Sequence, residues 1–205
     1  MALLFLFDMD DVLYDYDWRT RMDGLTALTG LELAELRRRW WHHDGEWAAE
    51  AGRFADGDAY RSALSAALGV DIAAEDWIDN RRSAMRARPE AIAAVARAAE
   101  LGRVSLLTNN GPLLDEHLTV IAPEIAPLFG EHLRTTSRYG ARKPDPEVFA
   151  RVLDHYGADP RDTFFVDDLP ENVAAAASLG ITTYHYGTAA GMRAAIEGFA
   201  EQRAA

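Results

Sequence analysis

The stretch FLFDMDDVLYDYDW, residues 5–18, places five aspartates within fourteen residues directly behind an apolar run. The run itself, Ala2–Phe7, is apolar at every position, the pattern of a strand buried on both faces of a sheet. Ending such a strand in like charges is unfavourable, because the carboxylates repel one another and lose hydration near the interior. Solvent, a metal ion, or a substrate that needs carboxylates would offset that cost. Which of these applies depends on what the rest of the chain brings to the same place.

Further along, short apolar segments alternate with helical patterns. Val104–Leu107 (VSLL) ends in TNNG, Thr163–Val166 (TFFV) ends in Asp167-Asp168, and Ile181–His185 is β-branched and aromatic. Leu133–Ser137 is a weaker strand candidate. Helices are expected over residues 90–101, 112–120, 145–156, 171–179 and 189–203, with Pro89, Gly111-Pro112, Pro144-Asp145-Pro146, Gly157 and Gly180 as start and stop signals. This alternation predicts an α/β fold, a doubly wound and mainly parallel Rossmann-like sheet with helices on both faces.

Residues 18–87 break the rhythm. They hold all five tryptophans and read as helices over 18–29, 31–49, 57–68 and 74–86, punctuated by Gly30, Gly52, Gly57 and Gly69, with no strand expected. The chain is thus divided into an α/β core domain, residues 1–14 and 88–205, and an all-helical insertion, residues 15–87.

Bulk properties narrow the function classes. An apolar fraction of 49% with 26% charged residues is ordinary for a globular chain of 205 residues. No apolar run approaches the roughly 18 residues that a membrane span needs. MALLFLFDMDD lacks a basic leader region and reads as a buried first strand rather than a signal peptide. The absence of cysteine excludes disulfide and thiolate chemistry and fits a cytoplasmic location. A formal charge of −12 argues against a nucleic-acid partner but not against a small phosphorylated one, since local charge can oppose the global balance.

In open parallel sheets, ligands bind beyond the carboxyl ends of the strands. Asp8, Asp10 and Asp11 follow the first strand, Thr108, Asn109 and Asn110 follow VSLL, and Asp167 and Asp168 follow TFFV, with Asn172 a helical turn later. Lys143 opens the helix of KPDPEVF. Carboxylates from two strands, with no cysteine or histidine in these clusters, suit a hard oxygen-seeking cation such as Mg²⁺. A dication would neutralise Asp8 and Asp168, while Thr108 and Lys143 could hold phosphoryl oxygens. Phosphoryl transfer is mostly positioning plus electrostatic stabilisation, and this inventory supplies both.

DMDDV (8–12), LLTN (106–109), ARKPDPEVF (141–149) and FFVDDLPEN (164–172) together resemble the four ordered motifs of the haloacid dehalogenase superfamily, most of whose members are phosphatases. The helical insertion sits where that superfamily places its helical cap, and the C-terminal motifs resemble those of small sugar-phosphate phosphatases. The resemblance implies Asp8 as a nucleophile that forms an aspartyl-phosphate and Asp10 as the general acid and base, its carbonyl also binding the metal. It implies Thr108 and Lys143 on the phosphoryl oxygens, Asn109 on the nucleophile or phosphate, Asp168 as a direct metal ligand, and Asp167 and Asn172 orienting metal-bound water. The dehalogenating branch lacks an acid at the position of Asp10, so this chain is expected to hydrolyse a phosphate ester of a small metabolite, a sugar phosphate or nucleotide.

Each residue has a plainer reading. Asp8 and Asp10 could end a solvated strand, Thr108 could cap a helix, and Lys143 alone would be a surface lysine. Trp40-Trp41-His42-His43-Asp44 suggests a ligand platform, but neighbours on a helix point about 100° apart, and filling the insertion's own core is the better reading. Trp18, Arg19 and Arg21 follow the aspartate loop closely enough for one to touch a substrate; none is assigned. The rival functions are a 2-haloacid dehalogenase or phosphomutase of the same superfamily, a phospho-receiver switch, and a non-catalytic binding module. The chain is expected to be a monomer or a homodimer.

Overall fold

The computed structural model describes residues 3–41 and 44–204. Strand β1 (Leu3–Phe7) occupies the interior of a four-stranded, wholly parallel sheet. It pairs on one side with β4 (Gly102–Leu106), Leu3 opposite Gly102, and on the other with β5 (Thr163–Asp167), Leu4 opposite Thr163; β6 (Thr182–His185) completes the order β4-β1-β5-β6. The alternation of side chains along β1 explains why the whole strand is apolar. Phe5 and Phe7 enter one hydrophobic cluster with Val95, Ile196 and Phe199, while Leu4 and Leu6 enter another with Val148, Phe149 and Val152. Because both faces are covered, no position tolerates a polar group until the strand ends at Asp8.

Two short strands follow the sheet's first strand and precede its second. β2 (Tyr14–Tyr16) and β3 (Met85–Ala87) form an antiparallel ribbon, Tyr14 opposite Ala87. Between them run α1 (Trp18–Thr29), α2 (Leu33–Leu36), a π-helical turn (Arg37–Trp41), α3 (Asp44–Glu50), α4 (Gly57–Leu68) and α5 (Ala74–Ser83). Helix α6 (Pro89–Leu101) leads into β4, and α7 (Pro112–Ile121) and the short α8 (Ala126–Phe129) follow it. Then come α9 (Pro146–Tyr156) before β5, α10 (Pro170–Ser178) before β6, and α11 (Ala189–Ala204). Helices α6 and α11 cover one face of the sheet through Ala91, Ala94, Met192 and Ile196; α9 and α10 cover the other. The insertion is seated on α7, where the Gly57 amide donates to Glu116 across 2.8 Å.

Three sequence expectations are corrected. Residues 85–87 are a strand, not the end of a helix: the chain that leaves the core as β2 returns beside itself, and pairing with β2 satisfies backbone groups that a helix end would leave open. The helix expected over 31–49 is broken by the π turn. That turn rotates Trp40 into the core, where its indole N–H donates to Glu46 at 2.7 Å and its ring lies so close to Gly45 that a Cβ there would sit 2.5 Å away. Leu133–Ser137 forms no strand; it makes only an isolated bridge, Thr108 with Thr135, and then a 3₁₀ turn over Thr136–Tyr139. Ala2, His42, His43 and the side chain of Asp44 lie outside the described residues.

Candidate active site

The strand order reverses beside β1, with β4 on one side and β5 on the other, so the crevice at its carboxyl end gathers the termini of three strands. The turn after β1 is tight. Leu13 and Tyr14 both donate to the Met9 carbonyl, and Asp11 takes a left-handed φ of 58°, a conformation that aspartate tolerates better than most residues. This turn aims Asp8 and Asp10 in different directions.

Asp8, which is buried, faces the deeply buried Lys143, whose Nζ lies 3.0 Å from its Oδ1 and 2.7 Å from Asp167 Oδ2. The Met9 amide also donates to Asp8 Oδ1 at 2.8 Å, and among the described residues Oδ2 accepts no hydrogen bond. Asp167 is fully engaged: its Oδ1 accepts from the Leu169 amide and from Asn172 Nδ2, each at 2.9 Å. One carboxylate oxygen from each of Asp8, Asp167 and Asp168 lies within 4.8 Å of the others. Burial pushes the Asp8 carboxyl well above its usual range; Lys143 opposes that shift, and the charges of Asp167 and Asp10 add to it. Burial and then the charge of Asp167 raise Asp168. For Lys143, burial disfavours the charge, but Asp8 and Asp167 outweigh it and hold the ammonium above its ordinary value. Three close carboxylates around one cation leave surplus negative charge, and an all-oxygen donor set of this kind fits a hard dication.

The hydroxyl of the buried Thr108 accepts from Asn110 Nδ2 at 2.9 Å, which leaves its own proton free to donate. Asn109, expected on the nucleophile or phosphate, grips the Lys143 peptide: Nδ2 donates to the Lys143 carbonyl at 2.8 Å and Oδ1 accepts from its amide at 2.9 Å. This grip positions the lysine, while one N–H and one lone pair of the amide remain available. Asp10 stands apart from the carboxylate trio. Its two oxygens lie 2.7 and 2.6 Å from Nη2 of Arg81, a buried arginine of α5 that also stacks on Tyr16, its guanidinium carbon 4.1 Å from the ring centroid.

The sequence reading missed Arg81, Tyr16 and Glu50. Arg81 sits 71 residues from Asp10 on a helix without motif, so only folding reveals the pair. Glu50 reaches across from α3 to Arg142, 2.5 Å from its Nε, and burial lifts its carboxyl to about 7 against the opposing charge of Arg142. His185, at the end of β6, lies 2.8 Å from the Asp168 carbonyl through Nε2. Asp10, Asn109 and Asn110 border a cavity of about 480 Å³ whose other walls come mainly from the insertion, including Trp18, Trp41 and Trp47.

Acid clusters at the ends of β1 and β5, joined by a buried lysine beneath a helical insertion, define an α/β enzyme. A family model described as haloacid dehalogenase-like hydrolase matches residues 3–180, and the chain belongs to that family. It is 28% identical over 191 residues to phosphatase MT3486 of Mycobacterium tuberculosis, covering 87% of this chain and 84% of the relative. Its fold is similar to that of the family enzyme bt-2542 from Bacteroides thetaiotaomicron, crystallised as an aspartate-to-alanine variant with magnesium and inorganic phosphate; the TM-score is 0.71 at 18% identity, over 91% of this chain and 95% of that one. It is also similar to the L-2-haloacid dehalogenase of Xanthobacter autotrophicus, with a TM-score of 0.59 at 21% identity, over 89% of this chain and 76% of that one.

Proposed function

We propose that the protein is a Mg²⁺-dependent phosphatase that hydrolyses a small phosphorylated metabolite through an aspartyl-phosphate on Asp8. The observation that carries this reading is the trio Asp8, Asp167 and half-buried Asp168, the first two paired with buried Lys143, at the carboxyl ends of β1 and β5, with Thr108 just past the end of β4. The likeness to a mycobacterial phosphatase, and to an enzyme crystallised with magnesium and phosphate, supports it. Asp8 and Asp168, with the Asp10 carbonyl, would hold the ion, and Asp167 and Asn172 would orient its water. When bound, the ion supplies positive charge that lets a carboxylate approach an anionic phosphorus.

Asp8 Oδ2, the oxygen without a hydrogen bond, attacks phosphorus as the ester P–O bond breaks and the leaving oxygen takes a proton from Asp10. Asp10 then removes a proton from water, which attacks the same phosphorus, and Asp8 and inorganic phosphate are released. Lys143 and Thr108 hold the phosphoryl oxygens while Asn109 fixes the lysine. In the structure Arg81 Nη2 donates to both oxygens of Asp10 and so orients the carboxyl group for either proton transfer. Residues 15–87 would act as a cap that excludes water and selects the leaving group, over a core of residues 1–14 and 88–205, in a cytoplasmic enzyme.

Dehalogenation is disfavoured by Asp10, since a halide needs no proton. The test is phosphate release from a panel of sugar phosphates, nucleotides and an aryl phosphate, with Mg²⁺, with chelator, and with Asp8→Asn. Metal-dependent release that the variant abolishes is expected. Near-normal turnover by Asp8→Asn would refute the covalent route, and no release from any ester by folded protein would refute the phosphatase reading.

A further inference from the structure

Arg21, in the first turns of α1, borders the cavity beside Asp10 and is only 4% exposed. Its guanidinium lies over the Trp77 ring, 4.7 Å from the centroid, and its Nη1 is buried without a hydrogen-bond partner among the described residues. The other deeply buried cations described above have ion pairs, Lys143 with Asp8 and Asp167 and Arg81 with Asp10 through Nη2, although Arg81 Nη1 is likewise unpartnered among the described residues. Among the described residues no acid forms an ion pair with Arg21, and the acids around it have other partners, although Glu46 keeps Oε1 free. Asp17, one turn before Arg21, caps α1 by accepting from the Arg19 and Thr20 amides; Glu50 is held by Arg142; and Glu46 Oε2 accepts from Trp40 Nε1 at 2.7 Å and the Tyr60 hydroxyl at 3.0 Å.

The placement of Arg21 is built in. Gly24, one turn on, allows α1 to lie against α5 so closely that a Cβ there would sit 2.0 Å from Asn80 Oδ1, and Asn80 Nδ2 donates to the Arg21 carbonyl at 3.1 Å. That approach sets Arg21 and Arg81 along the same cavity. A buried guanidinium without an ion pair and with an unsatisfied N–H group is disfavoured unless a ligand completes it. Arg37, exposed at the same cavity, adds positive charge for an incoming anion.

We propose that Arg21 binds a second anionic group of the substrate, so that the favoured substrates are phosphate monoesters whose alcohol half carries a carboxylate or another phosphate. This rests on the phosphatase reading, with the phosphoryl group at Asp8 and the alcohol half in the cavity. A cavity of about 480 Å³ suits a small metabolite of this kind, and the fork of guanidinium donors matches either anion.

The probes are 3-phosphonopropionate, propane-1,3-bisphosphonate and propylphosphonate, which cannot be hydrolysed and differ at the far end, titrated by calorimetry with Mg²⁺ present. The expected result is at least tenfold tighter binding of either probe with an anionic far end than of propylphosphonate. Arg21→Gln should abolish that preference while propylphosphonate affinity stays within about twofold, and Arg21→Met should raise the ligand-free melting temperature by removing an unmatched buried charge. Equal affinities in the wild type, a preference that survives in Arg21→Gln, or ligand-free unfolding of both variants would overturn the assignment, the last by making Arg21 structural. Saturable binding of propylphosphonate alone sinks only the second-anion site, whereas no phosphonate binding at all sinks the phosphate-ester reading with it.

Discussion

Glu50 ties stability to pH in a way that can be worked from the structure. It is 9% exposed, its carboxylate faces Arg142, and burial, with the nearby Glu46 charge added, lifts its carboxyl from 4.5 to about 7 despite the arginine. A raised carboxyl binds its proton more tightly in the folded chain than in the unfolded one, so the folded state holds more protons between those two values. Stability from this group is therefore complete below the unfolded value and is lost as pH rises through about 7. At 1.36 kcal/mol per unit, the displacement corresponds to about 3 kcal/mol between pH 4.5 and 8. Glu50→Gln keeps the side chain's size and removes the titration. Urea unfolding of both proteins across pH 5 to 8, in chelator, should show the wild type losing about 2–3 kcal/mol relative to the variant. Parallel pH profiles would refute the reasoning, and a wild type that gains on the variant as pH rises would reverse its sign.

Two other outcomes follow from burial. Lys143→Met leaves Asp8 and Asp167 facing each other without their shared cation, and should lower stability by about 3–5 kcal/mol in chelator at pH 8 while abolishing hydrolysis; a loss under 1 kcal/mol by urea unfolding would contradict the central place given to the ion pair. Phe5→Ala empties a site fully buried against Phe164 and Phe199, and should cost about 3–5 kcal/mol by the same assay with the catalytic carboxylates untouched; a loss below about 1 kcal/mol would mean the sheet face can collapse around the void.

How much of this was legible in the sequence depends on the range of the interaction concerned. The sheet strands were visible because double-sided burial leaves an uninterrupted apolar run, and the acids were visible because those runs stop at them. Asp8, Thr108 and Asp167 share one edge because parallel strands deliver their carboxyl ends there, a rule that needs only the strand positions, whereas Lys143, ahead of α9, reaches Asp8 and Asp167 from outside it. The ribbon of β2 and β3 was not legible. Tyr14–Tyr16 and Met85–Ala87 are three residues each, too short for a period, and pairing across some seventy residues is what makes them strands. The π turn at Arg37–Trp41 was hidden for a related reason, since a periodicity reading assumes a constant phase that the burial of Trp40 breaks.

The same distinction separates what the core does from what the insertion does. The acids and Thr108 of the core site sit within a few positions of a strand end and Lys143 just before α9, so motif spacing carries them. Asn109 shows the limit even there: its place was legible, but its grip on the Lys143 peptide, 34 residues away, was not. Arg81 and Arg21 lie on helices whose sequences look like ordinary solvated surface, and both are buried only because α1 and α5 close over the end of β1. One takes Asp10 as its counter-charge, and the other has no anion of this chain within hydrogen-bond reach among the described residues. In a cavity bordered by Asp10, Asn109 and Asn110, that asymmetry is best accounted for by a ligand that brings an anion to Arg21, since two ion pairs would have been the more stable arrangement for a protein that bound nothing there.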